Sequence, residues 1–313
     1  MGNKQYVIVV DSCSDLSKEL RKEYNIEYVR MGIIKKLKEG DVELPASLDW
    51  DLYTNKELND WQRSGMELKT TQVSMKEFTD VFERLLSDEK DILYIACSSA
   101  LSGSYNYSLI IKDELLEKYP NRKIICIDSL CACLGQGSMA IDAAKLQKEG
   151  KTIEEVAKYI EENKLCYHQF GTVETLDYLK KAGRVKATAA FFGNIFGVKP
   201  IIISDAKGQN YAIKKVKGRK NSINEIVKMV KEVIIDANNQ TIYVLHGDAI
   251  SDAEYLKDLL EKEISPKEVR IEYLGPIIGV STGPGTLAVM LKEKKSNWLV
   301  SNNGYKTIRW KYI

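Results

Sequence analysis

The stretch that most constrains this chain is 91–105. An apolar run, Ile92–Cys97, breaks into a turn crowded with hydroxyls (Ser98, Ser99, Ser102, Ser104) around one glycine, Gly103, and a helical pattern follows. A short continuous apolar run bounded by such a turn reads as a buried strand. A strand that feeds a helix through hydroxyls points backbone N–H and O–H groups at one spot, which suits a carboxylate or a phosphate. No Gly-x-x-x-x-Gly-Lys is present, so the turn is not a P-loop. Neutral donors favour a single modest anion over a triphosphate. The same residues could instead only cap the helix, and from this stretch alone both readings stand.

Length and composition narrow the class. A chain of 313 residues predicts two domains. With 44% hydrophobic and 29% charged residues it can build large cores as an ordinary globular protein. The formal net charge is +2, from 46 basic and 44 acidic residues, which gives no strong field for nucleic acid. Met1-Gly2-Asn3-Lys4-Gln5 runs directly into a strand, predicting no signal peptide, and Tyr6 stands where a myristoylation motif needs Ser or Thr. No apolar run approaches a membrane span. Cys13, Cys97, Cys126, Cys131, Cys133 and Cys166 lie in or beside apolar runs without zinc-ligand spacing, and read as reduced structural thiols in a cytoplasmic protein.

In the first half strands alternate with helices. Strands are expected at Tyr6–Val10, Ile26–Ile34, Ile92–Cys97 and Lys123–Ile127, with helices between them, a loop or small excursion over 35–50 and a turn at 69–74. Ser74 with Glu77, Thr152 with Glu155 and Ser251 with Glu254 fit capping boxes. Leu134–Ser138 reads as a glycine-rich turn that opens or interrupts a helix. This alternation argues a parallel α/β sheet. After Tyr167 a hairpin, Lys199–Ser204 and Tyr211–Val216 around Gly208, stands among further strands and helices and implies a mixed sheet. The expected architecture is therefore α/β with two α/β domains. Residues 1–165 would hold a parallel Rossmann-like sheet and 166–290 a mixed sheet with helices. Residues 291–313, with Lys292, Lys294, Lys295, Trp298, Arg309, Trp310 and Lys311, would form a basic and aromatic extension.

Several apolar strands end in Ser, Thr or Gly: at 11–15, 70–74, 98–104, 128–129 and 281–285. In an open parallel sheet ligands bind outside the C-terminal ends of strands, so converging hydroxyl turns favour a shared polar site over separate caps. The usual catalytic constellations are missing. His168 and His246 are the two histidines, neither in His-Glu-x-x-His, and there is no Gly-x-Ser-x-Gly. Asp11 and Asp128 could bind a metal but fit helix caps better. Arg184 is a lone cation at a helix end, able to neutralise an anion or to meet the helix dipole. Phe191, Phe192 and Phe196 could line an apolar pocket, and as plain core they need no ligand.

Taken in order, these pieces resemble the DegV family over roughly residues 5–290. Val10–Leu16 looks like Asp-Ser-x-Ser-Asp-Leu, and Thr70–Ser74 like Thr-Ser-Gln-Pro-Ser. Ser98–Tyr105 looks like Ser-Ser-x-Leu-Ser-Gly-Thr-Tyr, and Leu176–Val185 like Leu-x-Tyr-Leu-x-x-Gly-Gly-Arg-Ile. Gly275–Gly285 is similar to Gly-Pro-x-Ile-Gly-x-His-x-Gly-Pro-Gly. The resemblance implies two α/β domains that clamp a long-chain fatty acid between them, with no cofactor and no catalysis by this chain itself. It implies that the carboxylate meets Thr70, Thr71, Ser98, Ser102 and Gly103, with Arg184 and Ser281 nearby. It also implies a partner, the catalytic subunit of a bacterial fatty acid kinase, to which the carboxylate is presented. Three positions depart from the pattern: Ser281 replaces a histidine, Val73 a proline and Ala182 a glycine. The first bears on acyl-phosphate chemistry and the second is expected to loosen its loop. The competing readings are an enzyme acting on a small carboxylated or phosphorylated metabolite in the interdomain cleft, or a lipid carrier without a kinase.

Overall fold

The computed structural model describes residues 5–186 and 197–294, together with short strands at 299–300 and 307–308. In chain order the elements begin with β1 (Tyr6–Asp11), α1 (Lys18–Tyr24), β2 (Ile26–Val29), β3 (Gly32–Lys35), β4 (Val42–Pro45), α2 (Asn55–Arg63), β5 (Leu68–Thr71) and α3 (Met75–Ser87). They continue with β6 (Asp91–Ala96), α4 (Ser104–Lys118), β7 (Ile124–Asp128), α5 (Cys133–Lys148) and α6 (Ile153–Asn163). Then follow β8 (Tyr167–Thr172), α7 (Asp177–Ala182), β9 (Val185–Lys186), β10 (Val198–Ser204), β11 (Asn210–Lys217) and α8 (Arg219–Val233). The series closes with β12 (Thr241–His246), α9 (Ile250–Ile264), β13 (Glu268–Tyr273), α10 (Pro276–Thr282) and β14 (Leu287–Lys292). Two compact units emerge, one of Met1–Asp51, Thr70–Lys164 and Gly275–Ile277, the other of Leu52–Lys69, Leu165–Leu274 and Ile278–Ile313. Helix α2, early in the sequence, thus groups with the second unit.

The first unit is built on a parallel sheet of order β2-β1-β6-β7. Both central strands are buried along their whole length, as their unbroken apolar runs require. Helix α3 buries Phe78, Phe82, Leu85 and Leu86, one stripe at helical spacing. The rings of Phe78, Phe82 and Tyr94 meet edge to face at 5.3–5.8 Å. The run Ile26–Ile34, expected as one strand, is two. β2 pairs with β1, while β3 lies in a separate sheet of order β4-β3-β5. The break falls at Arg30 and Met31, where Met31 N–H donates to Ser12 Oγ at 3.1 Å and Arg30 is held by Glu77. Residues 69–74, expected as a turn, begin in β5. Leu134–Ser138 is not a turn but the start of α5. Gly137 is there because a Cβ would come within 2.7 Å of the Ser14 carbonyl.

The second unit carries a mixed sheet of order β13-β12-β14-β8-β10-β11-β9. β10 and β11 form the expected antiparallel hairpin, with Gly208 at φ 74 in its turn. Strand β14, absent from the sequence reading, sits between β12 and β8 and is antiparallel to both. It runs past the expected boundary at 290, and Glu293 N–H still donates to the Cys166 carbonyl at 2.9 Å. Helices α8 and α9 cover the sheet with Ile223, Ile226, Val230, Leu256 and Leu260. Helix α9 begins at Ile250, so Ser251 lies inside its first turn and does not cap it. The Ala249 N–H is taken instead by His246 Nδ1 at 3.1 Å. Among the described residues no helix is long and apolar enough to cross a membrane.

Candidate anion-binding site

In the parallel sheet the chain moves from β1 outward to β2, then returns to add β6 on the other side of β1. The loops after β1 and β6 therefore leave a topological switch point in opposite directions, the place where doubly wound sheets take their ligands. Asp11 locks these two strand ends together. Its Oδ2 accepts the Tyr94 hydroxyl and the Cys97 N–H, both at 2.8 Å, and its Oδ1 accepts the Cys13 N–H at 2.9 Å. The carboxyl is fully buried, and burial raises its pKa against the pull of those hydrogen bonds. Asp11 is thus a cap and a clamp. Asp128 does the same after β7, accepting the Ser99 N–H, the Ser99 hydroxyl and the Leu130 N–H.

So anchored, the loop 98–103 folds back on itself. The Leu101 and Ser102 N–H groups donate to the Ser98 carbonyl, and the Ala100 N–H to Ser98 Oγ. Helix α4 starts from Gly103 with no side chain capping it and no acidic residue in its first turn, so its N-terminal dipole stays open to an anion. The serine hydroxyls decide what it can offer. Ser104 is fully buried, and its oxygen accepts the Val73 N–H at 3.1 Å. Ser102 Oγ lies 2.9 Å from Ser104 Oγ and also accepts the Ser104 N–H at 3.2 Å. Either hydroxyl can be the donor; with the fully buried Ser104 donating, its proton has a partner in reach. Ser102 Oγ then accepts twice, and its own proton is left for an outside acceptor. Ser102 is half-buried, at the mouth of the helix N-terminus.

Of the other expected contacts, Thr70, Thr71, Ser98 and Gly103 belong to the same unit as Ser102, and Arg184 and Ser281 to the second. Thr70 and Thr71 are half-buried in β5, and the Thr71 hydroxyl donates to Glu43 Oε1 at 3.0 Å. Gly103 has the Gln72 amide against it, where a Cβ would overlap Gln72 Oε1. Arg184 is exposed and bonds back to the Ala182 carbonyl at 2.7 Å, at the end of α7 that Gly183 closes in the left-handed region. Ser281 is half-buried in α10. Phe191, Phe192 and Phe196 lie outside the described residues. Gln72, Glu43 and the Val73 N–H were not among the expected contacts, and Ser104 was expected only as one hydroxyl of the turn. Only the adjacency of Ser102 and Ser104 hinted at their pairing.

Elsewhere the titratable groups read as structure. His168 is buried, and burial depresses its pKa to about 3, so it stays neutral beside Glu293. Burial also lowers His246, consistent with Nδ1 serving as an acceptor. The Cys97 thiol is held far above its ordinary value, first by the Cys13 thiol and then by burial, so it remains protonated. Asp15, buried under Gly275, is pushed up to about 8 by burial. Among the described residues no group of three or more His, Cys, Asp or Glu could hold a metal.

Comparison with known proteins agrees with this architecture. The family model described as "Uncharacterised protein, DegV family" matches residues 5–294. A DegV domain-containing protein of Clostridium perfringens is 39% identical over 91% of this chain and 97% of its own length. A Thermus thermophilus structure, described as fatty acid binding of a DegV family protein, superposes with TM-score 0.81 at 26% identity, covering 93% of this chain and 100% of its own. Bacillus subtilis DegV, described as a fatty acid binding protein, gives 0.76 at 25% identity over 93% and 100%. With the parallel and mixed sheets, the hydroxyl loop at the switch point and a match over nearly its whole length, the chain belongs to the DegV family.

Proposed function

We propose that this protein binds a long-chain fatty acid, with the carboxylate on the loop 98–103 at the N-terminus of α4. The observation that carries the reading is the half-buried Ser102 hydroxyl, paired with Ser104 beside a helix start that no N-cap side chain bonds. One neutral donor and a helix dipole suit a single negative charge better than a phosphate ester. Fatty acid binding is also what the Thermus thermophilus and Bacillus subtilis proteins are described as doing. Thr70 and Ser98 would add donors, and Arg184 and Ser281 would lie near the carboxylate. Phe191, Phe192 and Phe196 are proposed for the acyl chain. Burying that chain is worth about 0.8 kcal/mol per methylene, enough for the lipid to survive purification.

The chain would act as a carrier in the cytoplasm, presenting the carboxylate to the catalytic subunit of a fatty acid kinase. That role rests on the family resemblance. Native mass spectrometry with lipid extraction tests the binding. A long-chain fatty acid at one per chain is expected, and a protein that yields no lipid and binds none after delipidation overturns the reading. Addition of ATP and a kinase catalytic subunit, followed for acyl phosphate, tests the presenting role separately.

A further inference from the structure

We propose that Ser104, with the Val73 N–H behind it, is a positioning residue that aims the Ser102 proton at the ligand carboxylate. The inference rests on the fatty-acid reading and deepens it. Three groups stand in line. The Val73 N–H donates to Ser104 Oγ at 3.1 Å, Ser104 Oγ lies 2.9 Å from Ser102 Oγ, and Ser102 is half-buried where Ser104 is fully buried. A hydroxyl rotor with one acceptor in reach and one donor behind it has a single good setting. Donation from Val73 to Ser104 makes the Ser104 proton a better donor, and that in turn strengthens Ser102, because hydrogen bonds in a chain polarise one another. Both Val73 and Ser104 are fully buried, so water does not compete for either bond.

This chain needs Val73 for the relay. The motif that residues 70–74 resemble has proline at this place, and proline has no N–H to give. The sequence alone reads Val73 as loosening the loop. The geometry shows the reverse, a backbone donor tying 73 to the start of α4. Ser104 touches no ligand in this scheme and acts only through Ser102.

The test compares wild type, Ser104→Ala, Ser104→Thr, Val73→Pro and Ser102→Ala, each as the full delipidated chain. The probes are palmitate and methyl palmitate. Loss of the relay lowers palmitate affinity about fivefold to tenfold in Ser104→Ala and Val73→Pro and leaves methyl palmitate unchanged. The pKa of the bound carboxyl, followed by NMR on carboxyl-labelled palmitate, rises by about one unit in Ser104→Ala, because the donor favouring the charged form is weaker. Ser104→Thr keeps the hydroxyl and restores both quantities. A purely structural role would lower binding of acid and ester together without moving the carboxyl pKa, and that result overturns the inference, as does failure of Ser104→Thr to rescue. If Ser102→Ala loses palmitate while Ser104→Ala does not, the relay is wrong and the carboxylate site stands. If wild type binds no palmitate, the fatty-acid reading has failed first.

Discussion

Oδ2 of Asp15 accepts the thiol hydrogen of Cys133 at 2.9 Å, with both side chains buried and Asp15 in the left-handed region at φ 53. Burial holds the Asp15 carboxyl protonated up to about pH 8, whereas in the unfolded chain it ionises near pH 4. Between those values the folded state binds the extra proton, so stability is complete below about pH 4 and falls as the pH rises through about 8. Asp15→Asn resembles the neutral acid and tolerates the same backbone angles. Denaturant unfolding at pH 5 to 8 should show the variant gaining on wild type by roughly 1.4 kcal/mol per pH unit. Parallel profiles for the two proteins would mean that Asp15 is ionised in the native state.

How much of this was legible in the sequence depends on whether a residue's role is local. The strand–turn–helix of 91–118 and the hairpin around Gly208 follow from runs and turns a few residues long. Thr152 and Glu155 form the expected reciprocal capping box. Ser74 does cap α3 through the Glu77 N–H, but the Glu77 carboxylate goes to Arg30, far away in sequence. Strand β14 was missed because Leu287–Lys292 follows a glycine-rich run and shades into a basic tail, while its pairing partners lie near residues 170 and 245. In the site, hydroxyl residues were visible as a class. How they bond to one another was not, because that depends on Val73 reaching Ser104 across 31 positions.

Two glycines on loops that carry family motifs should respond differently to alanine. At Gly283, φ is +82 and a Cβ would overlap the Tyr178 ring, so both backbone and packing resist. Gly283→Ala should cost at least about 3 kcal/mol, seen as a lowered denaturation midpoint. At Gly103, φ is −77, which any residue adopts, and the obstacle is the end of the Gln72 side chain. Gly103→Ala should stay within about 1 kcal/mol of wild type in stability while weakening fatty acid binding. Adding Gln72→Ala should remove the remaining stability loss, and an additive double variant would show that Gln72 does not matter.

Ser102→Ala should weaken palmitate binding by about tenfold or more, since it deletes a hydrogen bond to a charged acceptor worth roughly 1.5–3 kcal/mol. The apo protein should also melt somewhat lower, because Ser102 Oγ bonds the Ser104 N–H and the buried Ser104 hydroxyl, so the loss of affinity is what marks contact with the ligand. If Ser102 serves only to cap α4, the apo protein loses stability and the affinity stays put. Calorimetry for binding and thermal denaturation for stability together separate these outcomes.

Thr71 gives the remaining prediction. Its hydroxyl donates to Glu43 Oε1 at 3.0 Å, so its proton is directed at a carboxylate belonging to the protein. Gly32 leaves room for this pair, since a Cβ there would overlap both Glu43 Oε1 and Thr71 Oγ1. A ligand carboxylate drawn to Thr71 would compete with Glu43 for one proton and meet its negative charge. Glu43→Gln removes the charge while keeping the shape and an acceptor oxygen, so palmitate should bind several-fold more tightly and the gain should shrink as salt screens the charge. Thr71→Val in the Glu43→Gln background should erase that gain if Thr71 contacts the ligand. An affinity unchanged by Glu43→Gln at low salt would place the carboxylate beyond the reach of Thr71, leaving Ser102 and the α4 N-terminus to hold it.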